Sequence, residues 1–298
     1  MAIPCLRKIG KTTCAITLLL LVFFLGPSSL GAQGKSLSSH KRAGRKSRVE
    51  FHGHKQRAGN FRGRRQDGAL VWSQSFGMAD LENFVPATSL TLFRLGSISK
   101  PITAIAILQL SERGKLDLDV EAQEYCRAFP KKSGLSPLAS CSVTSEVSGI
   151  ATRTAVPHRS SWYHKDKSGA VENAGVLDSS YKIPGGGLIS SADDMTRFEI
   201  AVLANKLLKP ATREQMWTPQ MAADGSENGY ALGWGNAKKF GLSLVSHSGG
   251  QQGTSTSIIL VPERSTGVVV LANMDDVDAT ALSTEILKIA LDLKDKPG

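Results

Sequence analysis

Cysteine is scarce in this chain. Four are present among 298 residues, and Cys5 and Cys14 fall in a leader-like N-terminus. Cys126 and Cys141 alone cannot make a disulfide framework. No cysteine–histidine or histidine–histidine spacing suits zinc, so neither a metal nor a cofactor is expected. Acidic residues are outnumbered, 26 against 36 basic, for a net charge of +10. The excess sits in Lys35–Arg65, while the chain from Asp67 onward is nearly balanced. A localised excess of this kind does not make the whole chain a nucleic-acid binder, and no nucleic-acid partner is expected. After the first thirty residues no apolar stretch approaches spanning length, so no stable membrane span is expected once a leader is removed.

What is present is ordinary globular material, 41% hydrophobic and 21% charged, enough for one large domain or two small ones. Arg7, Lys8 and Lys11 precede the apolar run Cys14–Leu25, and the small residues Ser28–Ala32 follow. Residues 1–32 therefore read as a signal peptide, with export to the periplasm or the medium. Residues 33–66 are basic, rich in Ser, Gly and His, and without helical or strand period; a basic arm and a disordered linker are both compatible with them. Residues 67–298 read as one domain, interrupted at about 133–161 by a Ser-, Thr- and Pro-dense stretch without period, with order returning at Trp162.

Within that domain Ala69–Gly77 partly alternates like an antiparallel strand, and Thr91–Leu95 ends another. A helix follows from about Ser97 to Gly114, with Ile102, Ile105, Ala106, Leu108 and Leu110 at helical spacing. Ser190–Asp194 caps a helix expected to carry Met195, Phe198, Ile200, Ala201 and Leu203 inward. Strands are expected at Leu242–Ser246, Thr254–Val261 and Gly267–Ala272, with a turn at Pro262–Thr266. A last helix, Thr280–Leu293, shows Leu282, Ile286, Ile289 and Leu293 on one face. Strands near both ends with helices between them predict an α+β fold, an antiparallel sheet flanked by helices.

The chemistry concentrates at Ser97-Ile98-Ser99-Lys100. A serine in the first helical turn has free N–H donors around it, and a lysine three residues on projects from the same face. An amine beside a hydroxyl is the arrangement of an activated nucleophile. The spacing alone is weak, since Ser38–Lys41 and Ser179–Lys182 repeat it, and those two copies are given no role.

Context supplies the rest. The stretch L-F-R-L-G-S-I-S-K-P-I-T-A resembles the serine β-lactamase and penicillin-binding-protein group, nearest its class C and β-lactamase-related branch. Gly77–Thr88 resembles the hairpin ahead of the nucleophile. Pro184–Phe198 resembles the glycine-rich turn and following helix, and His247-Ser248-Gly249-Gly250 resembles the Lys/His-Thr/Ser-Gly strand. Together the matches cover about 67–132 and 162–298.

The resemblance implies a serine hydrolase acting through an acyl-enzyme on a β-lactam, a peptide or an ester, with no cofactor. It implies Ser97 as nucleophile and Lys100 as its proton acceptor. The N–H groups of Ser97 and Gly250 form the oxyanion hole, and His247, Ser248 and Gly249 bind substrate. The group's second motif, Tyr-x-Asn, is absent, because none of the four tyrosines has Asn two residues on. Ser226-Glu227-Asn228 fits an alternative spelling but reads as a polar loop. With the helical subdomain also short of sequence, an impaired or inactive chain is expected. The alternative is a non-catalytic binding or regulatory protein that keeps the fold; a polyanion-binding role for Lys35–Arg65 rests on charge alone.

The composition breaks where the resemblance breaks. Codon freedom allows shifted frames to spell a family-like helix over Ser133–Ile150 and the first sheet strand over Arg57–Gln66. Out-of-frame translation is therefore an expectation beside genuine insertion. Oligomeric state is left open.

Overall fold

A computed structural model describes residues 18–24, 69–125, 156–176, 178–179, 182–221, 225–226 and 229–293. Its centre is a six-stranded sheet built from β1 (Leu18–Phe24), β2 (Ala69–Phe76), β3 (Gly235–Lys239), β4 (Leu242–Gln251), β5 (Thr254–Val261) and β6 (Thr266–Ala272). The order is β2-β1-β6-β5-β4-β3, every pairing antiparallel. Mixed helices and antiparallel strands make this the α+β class expected above.

Both faces of the sheet are covered, which explains why β5 and β6 read as continuous apolar runs. A strand sends alternate side chains to opposite faces. Ile258, Leu260, Val269 and Leu271 enter one core; Ile259, Val261, Val268 and Val270 enter the other. The first core lies beneath α1 (Ser99–Glu112), α2 (Ala192–Leu203) and α3 (Pro210–Trp217), with Trp234, Met195 and Met216 buried in it. The second lies beneath α4 (Ala279–Ala290).

The helices begin where local chemistry allows. Ser191 caps α2 by accepting the Asp194 N–H at 3.2 Å, and Asp278 caps α4 by accepting that of Ala281 at 2.8 Å. No side chain caps α1. A single 3₁₀ turn, Gly96–Ile98, leads into it, and Pro101 occupies its first turn, where an N–H is not needed. The helix ends with the Gly114 N–H on the Ser111 carbonyl and that of Lys115 on the Leu110 carbonyl.

Several inward faces differ from expectation. In α1 the buried positions are Pro101, Ala104, Ile105 and Leu108, while Ala106 and Leu110 are exposed. In α2, Val202 and Glu199 point inward, Ile200 and Ala201 only partly. Both Glu199 carboxyl oxygens are buried with no hydrogen-bond partner, and burial pushes its pKa well above the ordinary carboxylate value. In α4 the buried face is Ala279, Ser283, Leu287 and Ala290, about one residue around from the predicted one. Ser283 is tolerated there because its hydroxyl meets that of Ser257 on β5 at 2.7 Å. The described chain resumes at Val156, ahead of Trp162. His158 accepts the Leu92 N–H at 2.8 Å, and Ser160 donates back to the Leu92 carbonyl at 3.0 Å. The Asp67-Gly68 turn, residues 33–66 and the stretch 133–155 lie outside the described residues.

The largest difference concerns the expected leader. Leu18–Phe24, the middle of its apolar run, is a sheet strand lying between β2 and β6, with Leu21 opposite Ser73 on one side and Val269 on the other. A short continuous apolar run has the same composition in a leader as in a central sheet strand, and periodicity cannot separate the two. It also takes the place beside β2 where a strand from Arg57–Gln66 was expected in another frame. A chain starting at Gln33 is expected to unfold at least 10 °C below the full chain, or to stay insoluble, because about two strand interfaces are lost. Thermal melts of the two forms check this; equal melting temperatures would mean that the sheet does not need Leu18–Phe24.

Candidate active site

The site forms where the entrance of α1, the glycine turn Ile183–Gly187 and the end of β4 converge. The chain leaves the short strand Phe93–Arg94, turns at Gly96 with φ of +54°, and enters the 3₁₀ turn that presents Ser97. Phe93–Arg94 is itself fixed by pairing with Ile189–Ser190, and Leu95 donates to the Leu188 carbonyl at 3.0 Å. The glycine turn is tied to α1 by two hydroxyls. Thr103 donates to the Pro184 carbonyl at 2.9 Å, and Ser99 accepts the Leu188 N–H at 3.2 Å while donating to the Gly96 carbonyl at 2.8 Å.

The approach of β4 is as tight as main chain allows. A Cβ on Gly249 would overlap the Leu95 carbonyl oxygen and the Thr256 hydroxyl, and would stand 3.1 Å from the Ser97 nitrogen. Thr256 donates to the Leu95 carbonyl at 2.8 Å, stitching β5 to the same turn. A Cβ on Gly96 would sit 3.0 Å from the Gly250 nitrogen. The backbones carrying the Ser97 and Gly250 N–H groups therefore lie against one another at the helix entrance.

Lys100 Nζ donates to Ser97 Oγ at 2.8 Å and to the Gly185 carbonyl at 3.1 Å. Burial lowers its pKa, and the charge of Lys182 lowers it further. A cleft of about 190 Å³ opens beside this pair, bounded by Ser97, Lys100, Lys182, Gly186, Gly250 and Gln251. Among the described residues that line it there is no carboxylate, imidazole or phenol. Gln251 accepts from Ser179 Oγ at 3.4 Å, and its buried Nε2 has no partner.

The structure brings Ser97, Lys100, Gly249 and Gly250 together; of the residues expected to touch substrate, none is among the described residues that line the cleft. Gly249 is buried beneath the helix entrance and serves close approach. Ser248 is exposed on the other face of β4. The His247 ring is bonded on both sides: its Nε2 meets the Tyr230 hydroxyl at 3.0 Å and its Nδ1 the Ser248 carbonyl at 2.6 Å. A carbonyl can only accept, so Nδ1 carries the proton and Nε2 accepts from Tyr230. Burial lowers the His247 pKa, the Ser248 bond opposes that, and the Lys100 charge adds to it. Lys182, in the Ser-x-x-Lys copy given no role above, lines the cleft instead. Its sequence signal is its place two residues before the Pro184-Gly185-Gly186-Gly187 loop. Gln251 was also missed, one residue beyond the expected motif. Glu227 and Asn228 of the alternative second motif, and Tyr181, lie outside the described residues.

Gly249 and Gly250 make a matched pair of tests. Gly249→Ala is expected to cost at least about 3 kcal/mol, since the Leu95 backbone on one side and the Thr256 hydroxyl on the other must both move. Gly250→Ala meets nothing within 4 Å, so its unfolding midpoint should match the parent. Denaturant melts of both variants check this; equal midpoints would remove the close-approach argument.

Comparison with known proteins follows this geometry. A family model described as Beta-lactamase matches residues 48–145 and 146–291. Serine beta-lactamase-like protein LACTB, mitochondrial, from Bos taurus is 41% identical over 101 residues, 34% of this chain and 16% of that protein. Esterase EstB from Burkholderia gladioli is 38% identical over 73 residues, 24% of this chain and 19% of the esterase. The matched stretches thus span less than a fifth of these relatives. Among solved structures, the octameric penicillin-binding protein homologue from Pyrococcus abyssi superimposes with a TM-score of 0.67 at 16% identity, covering 93% of this chain and 74% of that one.

Proposed function

The chain belongs to the beta-lactamase family of serine hydrolases, and on that premise we propose that Ser97 is its nucleophile and Lys100 the base that activates it. The observation that carries this reading is the 2.8 Å contact between Lys100 Nζ and Ser97 Oγ at the mouth of a cleft. Lys100 as an amine takes the Ser97 proton while Oγ attacks a substrate carbonyl. The N–H groups of Ser97 and Gly250 hold the developing oxyanion, where losing one donor typically costs about 10²–10³ in rate. Collapse expels an amine or alcohol that recovers the proton from Lys100, leaving an acyl group on Ser97 for water to remove. The orphan Nε2 of Gln251 is a donor for a polar group of the substrate. A β-lactam, a peptide and an ester all present the required carbonyl, and an esterase and a penicillin-binding-protein homologue are among the proteins this chain resembles.

A second reading has its own observation. Among the described residues the cleft lining contributes two lysines but no tyrosine or histidine to activate the water of the second half-reaction, and the chain has no Tyr-x-Asn. Acylation without turnover, in a binding or regulatory protein, fits that lining. Export rests on the basic-then-apolar N-terminus, whose central residues also form β1; no described helix is long and apolar enough to cross a membrane.

A fluorophosphonate or penicillin reporter is expected to label the chain once, at Ser97, with slow release. Ser97→Ala should abolish labelling, and Lys100→Met should slow it by about 10²–10⁴. Mass spectrometry of the labelled peptide checks this, and adduct on any other residue would overturn the assignment.

A further inference from the structure

One buried acid stands apart from the chemistry at Ser97. Glu199 lies in the middle of the inward face of α2, with Met195 and Thr196 a turn before it and Val202 and Leu203 a turn after. It has no exposed surface, and neither carboxyl oxygen has a hydrogen-bond partner. Burying a carboxylate in this way is far costlier than burying the neutral acid, because the charge loses water and gains nothing in return. The carboxyl rests on the sheet at the start of β6. A Cβ on Gly267 would stand 3.1 Å from both Cδ and Oε2 of Glu199, and 3.0 Å from Cδ2 of Leu260 on β5. Gly267 thus leaves the space that the carboxyl fills, and the fit is one of shape rather than of charge.

The strands that pack against α2 bring no charge to it. They are β6, β1 and β2, and none of the three has an ionisable residue in its sequence. On α2 itself, Asp193 lies in the first turn, while Asp194 and Arg197 are exposed and paired with each other. In the turn between β5 and β6, Glu263 and Arg264 are exposed, and Glu263 accepts the Ser243 N–H at 3.1 Å. From α3, Arg213 donates to the Leu203 carbonyl at 2.9 Å, one turn beyond Glu199, and its guanidinium lies over Trp217. From α1, Lys100 reaches Ser97, and Glu112 accepts the Lys209 N–H at 2.7 Å. Burial alone pushes the Glu199 pKa well above the ordinary carboxylate value.

We propose that Glu199 is a proton-controlled latch: α2 lies closed on the sheet while this carboxyl is neutral, and loss of its proton to solvent opens the contact with β6. Exposed in the unfolded chain, the acid ionises near about pH 4.3; buried against Gly267, it keeps its proton to higher pH. The latch therefore contributes fully below about pH 4.3 and is lost as pH rises towards the folded value. The same helix begins directly after Ile189–Ser190, the strand that pairs with Phe93–Arg94 ahead of Ser97. Acid thus holds closed the helix that follows the supporting strand of the site. None of this depends on Ser97 being acylated.

The test compares the full chain with Glu199→Gln, which keeps the shape, and Glu199→Met, which removes the polar group. Denaturant unfolding is followed across about pH 4–8. Relative to either variant, the unfolding constant of the parent should rise about tenfold per pH unit above about pH 4.3, until Glu199 ionises in the folded chain. A glutamate kept only for its bulk would shift stability equally at every pH. Infrared spectra of the folded parent with isotope-labelled glutamate should show a neutral-carboxyl band at neutral pH that either variant removes. A parent whose pH slope matches both variants overturns the latch, as does a folded parent in which every glutamate is ionised at neutral pH. Should Glu199→Gln fail to fold, Glu199→Met carries the comparison, and the band in the parent still decides: present, it supports the latch; absent, it overturns it.

Discussion

A contact of main chain on main chain governs this molecule. Where β4 passes the entrance of α1, Gly249 has no room for a side chain, because Leu95, Thr256 and the Ser97 nitrogen already occupy the space. Every element that matters to the site is referred to that contact. It sets the height of Ser97 relative to the sheet and brings the Gly250 backbone beside it. It also fixes where Lys100, one turn into α1, can reach back. The glycine turn then closes the other side through Thr103 and Ser99. Precision of this kind comes from backbone, which has few soft dihedrals, rather than from long side chains.

The electrostatic character of the cleft follows from the same crowding. Glycines admit close approach but bring no charge, so the few side chains that do enter dominate the field. Two of them are lysines, with Gln251 the uncharged donor beside them. In low dielectric a small number of charges acts strongly. His247, beside Tyr230 and the Ser248 carbonyl, has its pKa lowered first by burial, with the Ser248 bond opposing that and the Lys100 charge adding to it. The family likeness at the level of motifs thus goes with a cleft in which Ser97 and Lys100 stand in contact.

Much of this was readable in the sequence. The Ser97–Lys100 pair, the glycine turn and the strands Thr254–Val261 and Thr266–Ala272 left local signals strong enough to find. The ten-residue β4 was predicted only to Ser246, since Gly249 and Gly250 are poor strand formers and the reason for their presence is a neighbour 150 residues earlier. The inward faces of α2 and α4 were shifted because a buried Glu199 and Ser283 look polar by type, and only packing reveals them. Lys182 was passed over because a three-residue spacing carries no information about which serine the lysine faces. Leu18–Phe24 is ambiguous for the same kind of reason: composition says apolar, and the sheet adds a strand pairing.

That strand has a consequence for how the chain is made. Leu18–Phe24 can pair early only with Ala69–Phe76; its other partner, Thr266–Ala272, lies about 250 residues further along the chain. Until that partner is made an apolar ribbon keeps one edge unsatisfied, and any factor that binds extended apolar peptide through such an edge competes with the sheet for the same seven residues.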